Sequence, residues 1–264
     1  MKKIFALLSF LVLSIVSCKK ESNTIQETNE NQPTSVVARE SNNPYFVADY
    51  VDQQNVGQHH TSCVRYVLDN LKKISEQSSV INESIINGKI IELMNEYCEI
   101  NGLPHYSFPT VAIPDTYQEM LEKNNFSSEM SALLTNSFEV FDNYSTVDSM
   151  FTALNENLEI ANTLVNEDER VASTIAINVL ISSLDVWIKQ EYNSYLPDNF
   201  GLMAGRLSSN DKKVLRKDAI ATLVTTATGG FNPLSFCVGM ITGTGASIGT
   251  WMGQHGYDDS WWPF

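Results

Sequence analysis

Apolar positions recur along most of this chain at the spacing of one helix face. Val56, Cys63, Val64, Val67, Leu68, Leu71 and Ile74 fall three, four or seven residues apart, which predicts an amphipathic helix from Val56. A second begins near Asn82-Glu83, carries Ile86, Ile90, Leu93, Met94 and Tyr97, and stops at Gly102 and Pro104. Three prolines make 103–114 a loop, and Pro114-Asp115 opens a short helix to about Asn124. Ser127 caps a helix through Met130, Leu133, Leu134, Phe138 and Phe141. Ser145-Thr146-Val147-Asp148 reads as a capping box, starting the helix of Met150, Leu154, Leu158 and Ala161.

From about Glu167 to Tyr192 the pattern changes, being apolar nearly all round between Val171 and Ile188, the mark of a central helix. Ser209-Asn210-Asp211 caps another helix that runs to Gly229-Gly230, and a last one follows Pro233. Sustained alternation of period two is scarce. The expected fold is all-α, a single bundle of seven or eight helices occupying 44–264.

The first 43 residues have a different character. Met1-Lys2-Lys3 precedes an apolar run, Ile4–Val16, that is shorter than the roughly 20 residues of a spanning helix. It ends Ile15-Val16-Ser17-Cys18, which resembles the lipobox of bacterial lipoproteins. The resemblance implies a signal peptide over 1–17, with Cys18 lipidated and becoming the mature N-terminus, so that the membrane partner is reached through lipid. Lys19 after the cysteine suggests the outer membrane, and Lys19-Lys20-Glu21 faintly resembles the charged signal of surface-exported lipoproteins. Residues 19–43 are mostly Lys, Glu, Ser, Asn, Thr and Gln, with a single proline, Pro33, and little to bury, so that 18–43 has the composition of a disordered tether.

Charge narrows the partners. Cleavage before Cys18 leaves 15 basic residues against 31 acidic ones, a net of −16, which argues against nucleic acid. Charge also divides the chain, because no Asp, Glu, Lys or Arg lies between Asp218 and Asp258. Within this 219–257 segment two apolar arms flank Gly229-Gly230-Phe231-Asn232-Pro233, a helix stop, turn and restart. Gly239 and Gly243, then Gly245, Gly249 and Gly253, are spaced by four and would form a smooth face for close helix packing. Two readings follow: a hairpin buried in the bundle, or one that enters a bilayer, as in glycine-rich bacteriocins and pore-forming hairpins. The modest hydropathy of the second arm favours burial, and Lys212, Lys213, Arg216 and Lys217 read as a solvated face.

No GxSxG, HExxH, Walker A or GxGxxG pattern occurs, so no motif names a reaction or a cofactor. His59 and Cys63 share a helix face, and Cys98 and His105 would complete four zinc ligands, but Cys98-x₆-His105 is an unusual spacing. Inert buried cysteines and an ordinary pair of histidines at a helix start are the simpler reading. Of the body cysteines Cys63, Cys98 and Cys237, one bond, Cys63–Cys98, is allowed in an oxidising compartment. Asn178 and Asp185, seven apart in the most apolar helix, are expected to form a buried polar pair.

Val56-Gly57-Gln58-His59-His60 resembles the VG-x-x-H-N helix start of uncharacterised Bacteroidota lipoproteins, which also pair a lipobox with a Gly/Ala-rich C-terminal helical segment. Here His60 stands in place of Asn, and the C-terminal segment is richer in Thr. The resemblance implies location and build and carries no activity. The expected role is therefore binding or structural, with membrane activity through 219–257 and an unrecognised envelope enzyme as alternatives.

Overall fold

The computed structural model describes residues 43–77, 83–105, 111–189 and 207–254. The leader, the tether, the aromatic tail and residues 190–192 of the long apolar helix lie outside them. Eight α-helices and no strand occur among the described residues: α1 Val56–Gln77, α2 Glu83–Ile100, α3 Tyr117–Lys123, α4 Ser128–Asn143, α5 Val147–Ala161, α6 Glu167–Leu184, α7 Ser209–Gly229 and α8 Pro233–Gln254. The protein is all-α, with α6 continuing into one five-residue π turn, Asp185–Lys189.

Local chemistry sets each boundary. Ser127 caps α4 as expected, accepting the Met130 N–H. Three other starts differ from expectation by a residue or two. Thr116, not Pro114-Asp115, caps α3, and Thr146, not Ser145, caps α5 by accepting the Ser149 N–H. Helix α7 begins at Ser208, whose hydroxyl accepts the Asp211 N–H while the Asp211 carboxylate accepts the Ser208 N–H. At the end of α2, Gly102 takes φ +65° and the Leu103 N–H turns back to the Cys98 carbonyl.

Helix α6 is the centre. Eleven of its residues are buried, from Ala172 to Leu184, and it packs against α1, α4, α5 and α7. Among the described residues only this segment, Glu167–Ile188, is long and apolar enough to cross a membrane, and 78% of its apolar 18-residue stretch is buried inside the bundle. An all-round apolar helix needs neighbours on every side, and the amphipathic α1, α4 and α5 supply them.

The charge-free arms pack on this core as a tight hairpin. Gly230 closes α7 in the left-handed region at φ +83°. Asn232 then exchanges hydrogen bonds with Ser235, each side chain meeting the other's N–H, and Pro233 starts α8. The two helices approach through two glycines. A Cβ on Gly239 would lie 2.2 Å from Thr226 Oγ1 and 2.8 Å from the Thr222 carbonyl oxygen. On Gly243 it would lie 2.1 Å from Thr222 Oγ1 and 2.8 Å from the Asp218 carbonyl oxygen. Gly245 and Gly249 are buried as well, whereas Gly253, expected on the same packing face, is exposed.

Gly243→Ala therefore sets two effects against each other. Alanine gains about 1 kcal/mol of helix propensity. Overpacking against backbone, which cannot rotate away, costs more, so a net loss of about 1–3 kcal/mol is expected in chemical denaturation. Gly253→Ala, in the open, should be neutral or stabilising. Equal effects at the two positions would show that the α7–α8 contact is looser than described.

Candidate functional site

The first two turns of α1 bring the His59-His60 pair into the interior. Gly57 makes this approach feasible, since a Cβ there would lie 2.3 Å from Ser182 Oγ and 2.7 Å from the Asn178 carbonyl oxygen of α6. Successive helical residues point about 100° apart, so the two histidines face different neighbours. Both are fully buried.

His59 lies against α2 and the segment that precedes α1. Its Nε2 is 2.8 Å from the Tyr50 carbonyl oxygen and its Nδ1 2.8 Å from the Tyr97 hydroxyl. A carbonyl only accepts, so Nε2 carries the proton and Nδ1 accepts from Tyr97. Burial lowers its pKa from 6.5 to about 4, against the opposing pulls of the Tyr50 carbonyl and Asp52.

His60 faces α7. Its Nε2 lies 3.0 Å from Oδ1 of Asp218, with both side chains at 0% exposure. The second carboxylate oxygen, Oδ2, accepts hydrogen bonds from Ser183 Oγ at 2.5 Å and from Trp187 Nε1 at 3.2 Å. Ser183 ends the α part of α6 and Trp187 sits in the π turn, so one carboxylate gathers three helices. Trp187 stacks on Trp251 of α8, with ring centroids 6.5 Å apart. Asp218 lies on a buried part of α7 beside Leu215, Ala219 and Thr222, a position where a carboxylate must be paired.

The order of groups decides the chemistry. In a serine-hydrolase triad the imidazole stands between serine and carboxylate, taking the hydroxyl proton. Here Asp218 stands in the middle, so Ser183 has an acceptor and no base aimed at attack. With Ser183, Asp218 and His60 fully buried and Trp187 at 1% exposure, this arrangement holds helices together.

The four zinc candidates do not converge. His59 is engaged by Tyr97 and Tyr50, and His105 is an exposed surface residue 3.0 Å from Glu99. Cys63 and Cys98 are buried free thiols, as is Cys237. Burial pushes the Cys63 thiol well above its usual range, beside the Thr244 hydroxyl. Among the described residues, no group of three or more His, Cys, Asp or Glu side chains is placed to hold a metal ion. The expected Asn178–Asp185 pair is corrected too, because both are half-buried and reach separate partners. Asn178 Nδ2 donates to the Gln53 carbonyl at 2.8 Å, and Asp185 meets Arg65 at 3.2 Å.

The basic cluster at the start of α7 is likewise not a free face. Lys212 and Arg216 both bind Asp142 of α4, and Arg216 Nε donates to the Phe138 carbonyl at 3.0 Å. Lys217 is buried, with Nζ 3.0 Å from the Pro114 carbonyl oxygen and 3.2 Å from Asp115. Only Lys213 of the four is exposed. No family model, curated protein or solved structure matches the chain.

Proposed function

We propose that this chain is a lipid-anchored protein of the bacterial cell envelope, whose helical unit has a binding or structural role at the end of a tether. The leader and Cys18 supply the anchor. The observation that carries the rest is the burial of the 219–252 hairpin. The apolar half of α7, Ala219–Ala227, is too short to cross a bilayer and continues directly from a half that is tied down by charge. Moving the hairpin into lipid would strip Asp218 of His60, Ser183 and Trp187, and Lys217 of Pro114 and Asp115. Each buried polar group left without its partner costs about 1–3 kcal/mol, and a charged one more. A lipid on Cys18 provides membrane attachment and leaves all of these contacts intact.

Labelling cells with an alkyne analogue of palmitate tests the anchor. The full-length chain should take up label and fractionate with membranes, and Cys18→Ala should lose the label. Label retained by the variant, or none on the wild type, would overturn the anchor. Dye release from liposomes by the purified chain, at a rate that depends on residues 219–257, would replace the binding role with the membrane-active one.

A further inference from the structure

We propose that α1, α2 and α6 form a groove that reads the main chain of a short non-helical peptide, and that residues 44–53 occupy it in cis as a releasable strap. The strap lies between the tether and α1 and has no helix or strand of its own. Among the described residues, its main chain makes no hydrogen bond to the main chain of the helices it crosses, apart from the turn into α1. Side chains hold it instead. Asn101, fully buried at the end of α2, accepts the Val47 N–H at 2.8 Å and donates to the Tyr45 carbonyl at 3.3 Å. Ser62 donates to the same carbonyl at 2.9 Å. His59 donates to the Tyr50 carbonyl at 2.8 Å, and Asn178 to that of Gln53 at 2.8 Å. Three helices thus aim four polar side chains at main-chain atoms, which a segment of almost any sequence would offer.

Those polar groups explain why irregular main chain belongs here and another helix does not. A helix laid over this face has already spent its N–H and C=O groups internally, and would leave Asn101, His59 and Asn178 short of partners. The strap's own side chains contribute at two positions. Val51 is buried, the only residue of 44–53 that is. Tyr45 packs edge-on against Tyr66, with ring centroids 5.1 Å apart, and its hydroxyl donates to Asp69 at 2.8 Å. Pro44, Asp49 and Tyr50 face solvent. The groove therefore selects an aromatic hydroxyl and, six positions later, a small aliphatic side chain, and tolerates the rest. One buried side chain and no main-chain ladder also let a segment open while the bundle stays folded. The partner is a segment of another protein with this chemistry, and the strap is the intramolecular competitor that it displaces. This deepens the binding half of the role proposed above and does not involve Cys18, so groove and anchor can fail separately.

The test uses the purified full-length chain and, as probe, a fluorescent peptide with the sequence of residues 43–55. Tyr45→Ala/Val51→Asp in the chain removes both side-chain anchors of the strap and leaves the groove untouched. By fluorescence polarisation this strap-weakened chain should bind the peptide at least about 10-fold tighter than the wild type, whose strap competes at millimolar effective concentration. Adding Asn101→Ala, which removes two hydrogen bonds to the peptide, should weaken binding roughly 10-fold. A peptide carrying the same two replacements as the strap should not bind. Hydrogen exchange on the wild-type chain gives a reading that needs no variant to fold: the Val47 amide should exchange at least about 100-fold faster than the amides of α6. Absence of binding by a folded strap-weakened chain, binding indifferent to Asn101→Ala, or a Val47 amide protected as fully as α6 overturns the proposal.

Discussion

Asp218→Ala is expected to lower the unfolding free energy of this protein by about 2–6 kcal/mol, because two buried donors lose the carboxylate they share, at about 1–3 kcal/mol each. His60 keeps its burial and loses the carboxylate 3.0 Å away, and Ser183 Oγ and Trp187 Nε1 lose a shared acceptor. A denaturant titration should show a lower midpoint with an unchanged slope. Asp218→Asn retains an acceptor oxygen for Ser183 and Trp187 and should cost less. His60→Ala leaves Ser183 and Trp187 on the carboxylate and should cost less than Asp218→Ala, and the double variant should lose less than the two single losses added, because the two share one contact. A change of under about 0.5 kcal/mol, the range of an ordinary surface substitution, would show that the carboxylate reaches water and that α7 is not seated as described.

Acid is expected to destabilise the fold through His59, by roughly 3 kcal/mol between neutral pH and pH 4. Its pKa falls from 6.5 to about 4 on folding, chiefly through burial. Above pH 6.5 the imidazole is neutral in both states and the contribution is fully present. Between 6.5 and 4 the unfolded chain takes up a proton that the folded one refuses, so stability is lost as pH falls. Below about 4 both states are protonated and the loss levels off. Burial explains the refusal, since the charged imidazolium would sit where water cannot reach it. Denaturation midpoints at pH 7 and 4.5 for the wild type and His59→Gln provide the measurement. The variant should be weaker at pH 7 yet lose less on acidification; equal slopes would mean that His59 titrates freely in the fold.

Much of the architecture was legible from residue order, for reasons that are local. Helix faces on α1, α2, α4 and α5 appear as apolar residues three and four apart, because 3.6 residues make a turn. Cap positions were legible to within a residue or two, since several nearby Ser, Thr and Asp side chains can each reach the same free N–H groups. At α5 and α7 the choice between Ser145 and Thr146, or Ser208 and Ser209, rests on which backbone leaves the extended region first. The glycine spacing of α8 predicted close packing, and Gly239 and Gly243 meet α7 as that spacing requires.

The site itself was not legible in the same way. Periodicity reports which residues share a helix face, and it is silent on which face meets which. His60 and Asp218 are 158 positions apart in sequence, and nothing local links them. Asn178 and Asp185 drew notice because they interrupt the most apolar helix, yet both are half-buried and reach Gln53 and Arg65. The basic residues of α7 looked solvated because helix-face arithmetic cannot see Asp142 arriving from α4.

By itself the sequence determined the all-α class, the helix count, the turn between α7 and α8, and a lipobox-like Cys18, all of which rest on interactions within a few residues. Tertiary structure alone decided that the charge-free arms are buried and that Asp218 gathers His60, Ser183 and Trp187. Those outcomes depend on which helices meet and in what register, and that choice is made by packing among segments far apart in the chain.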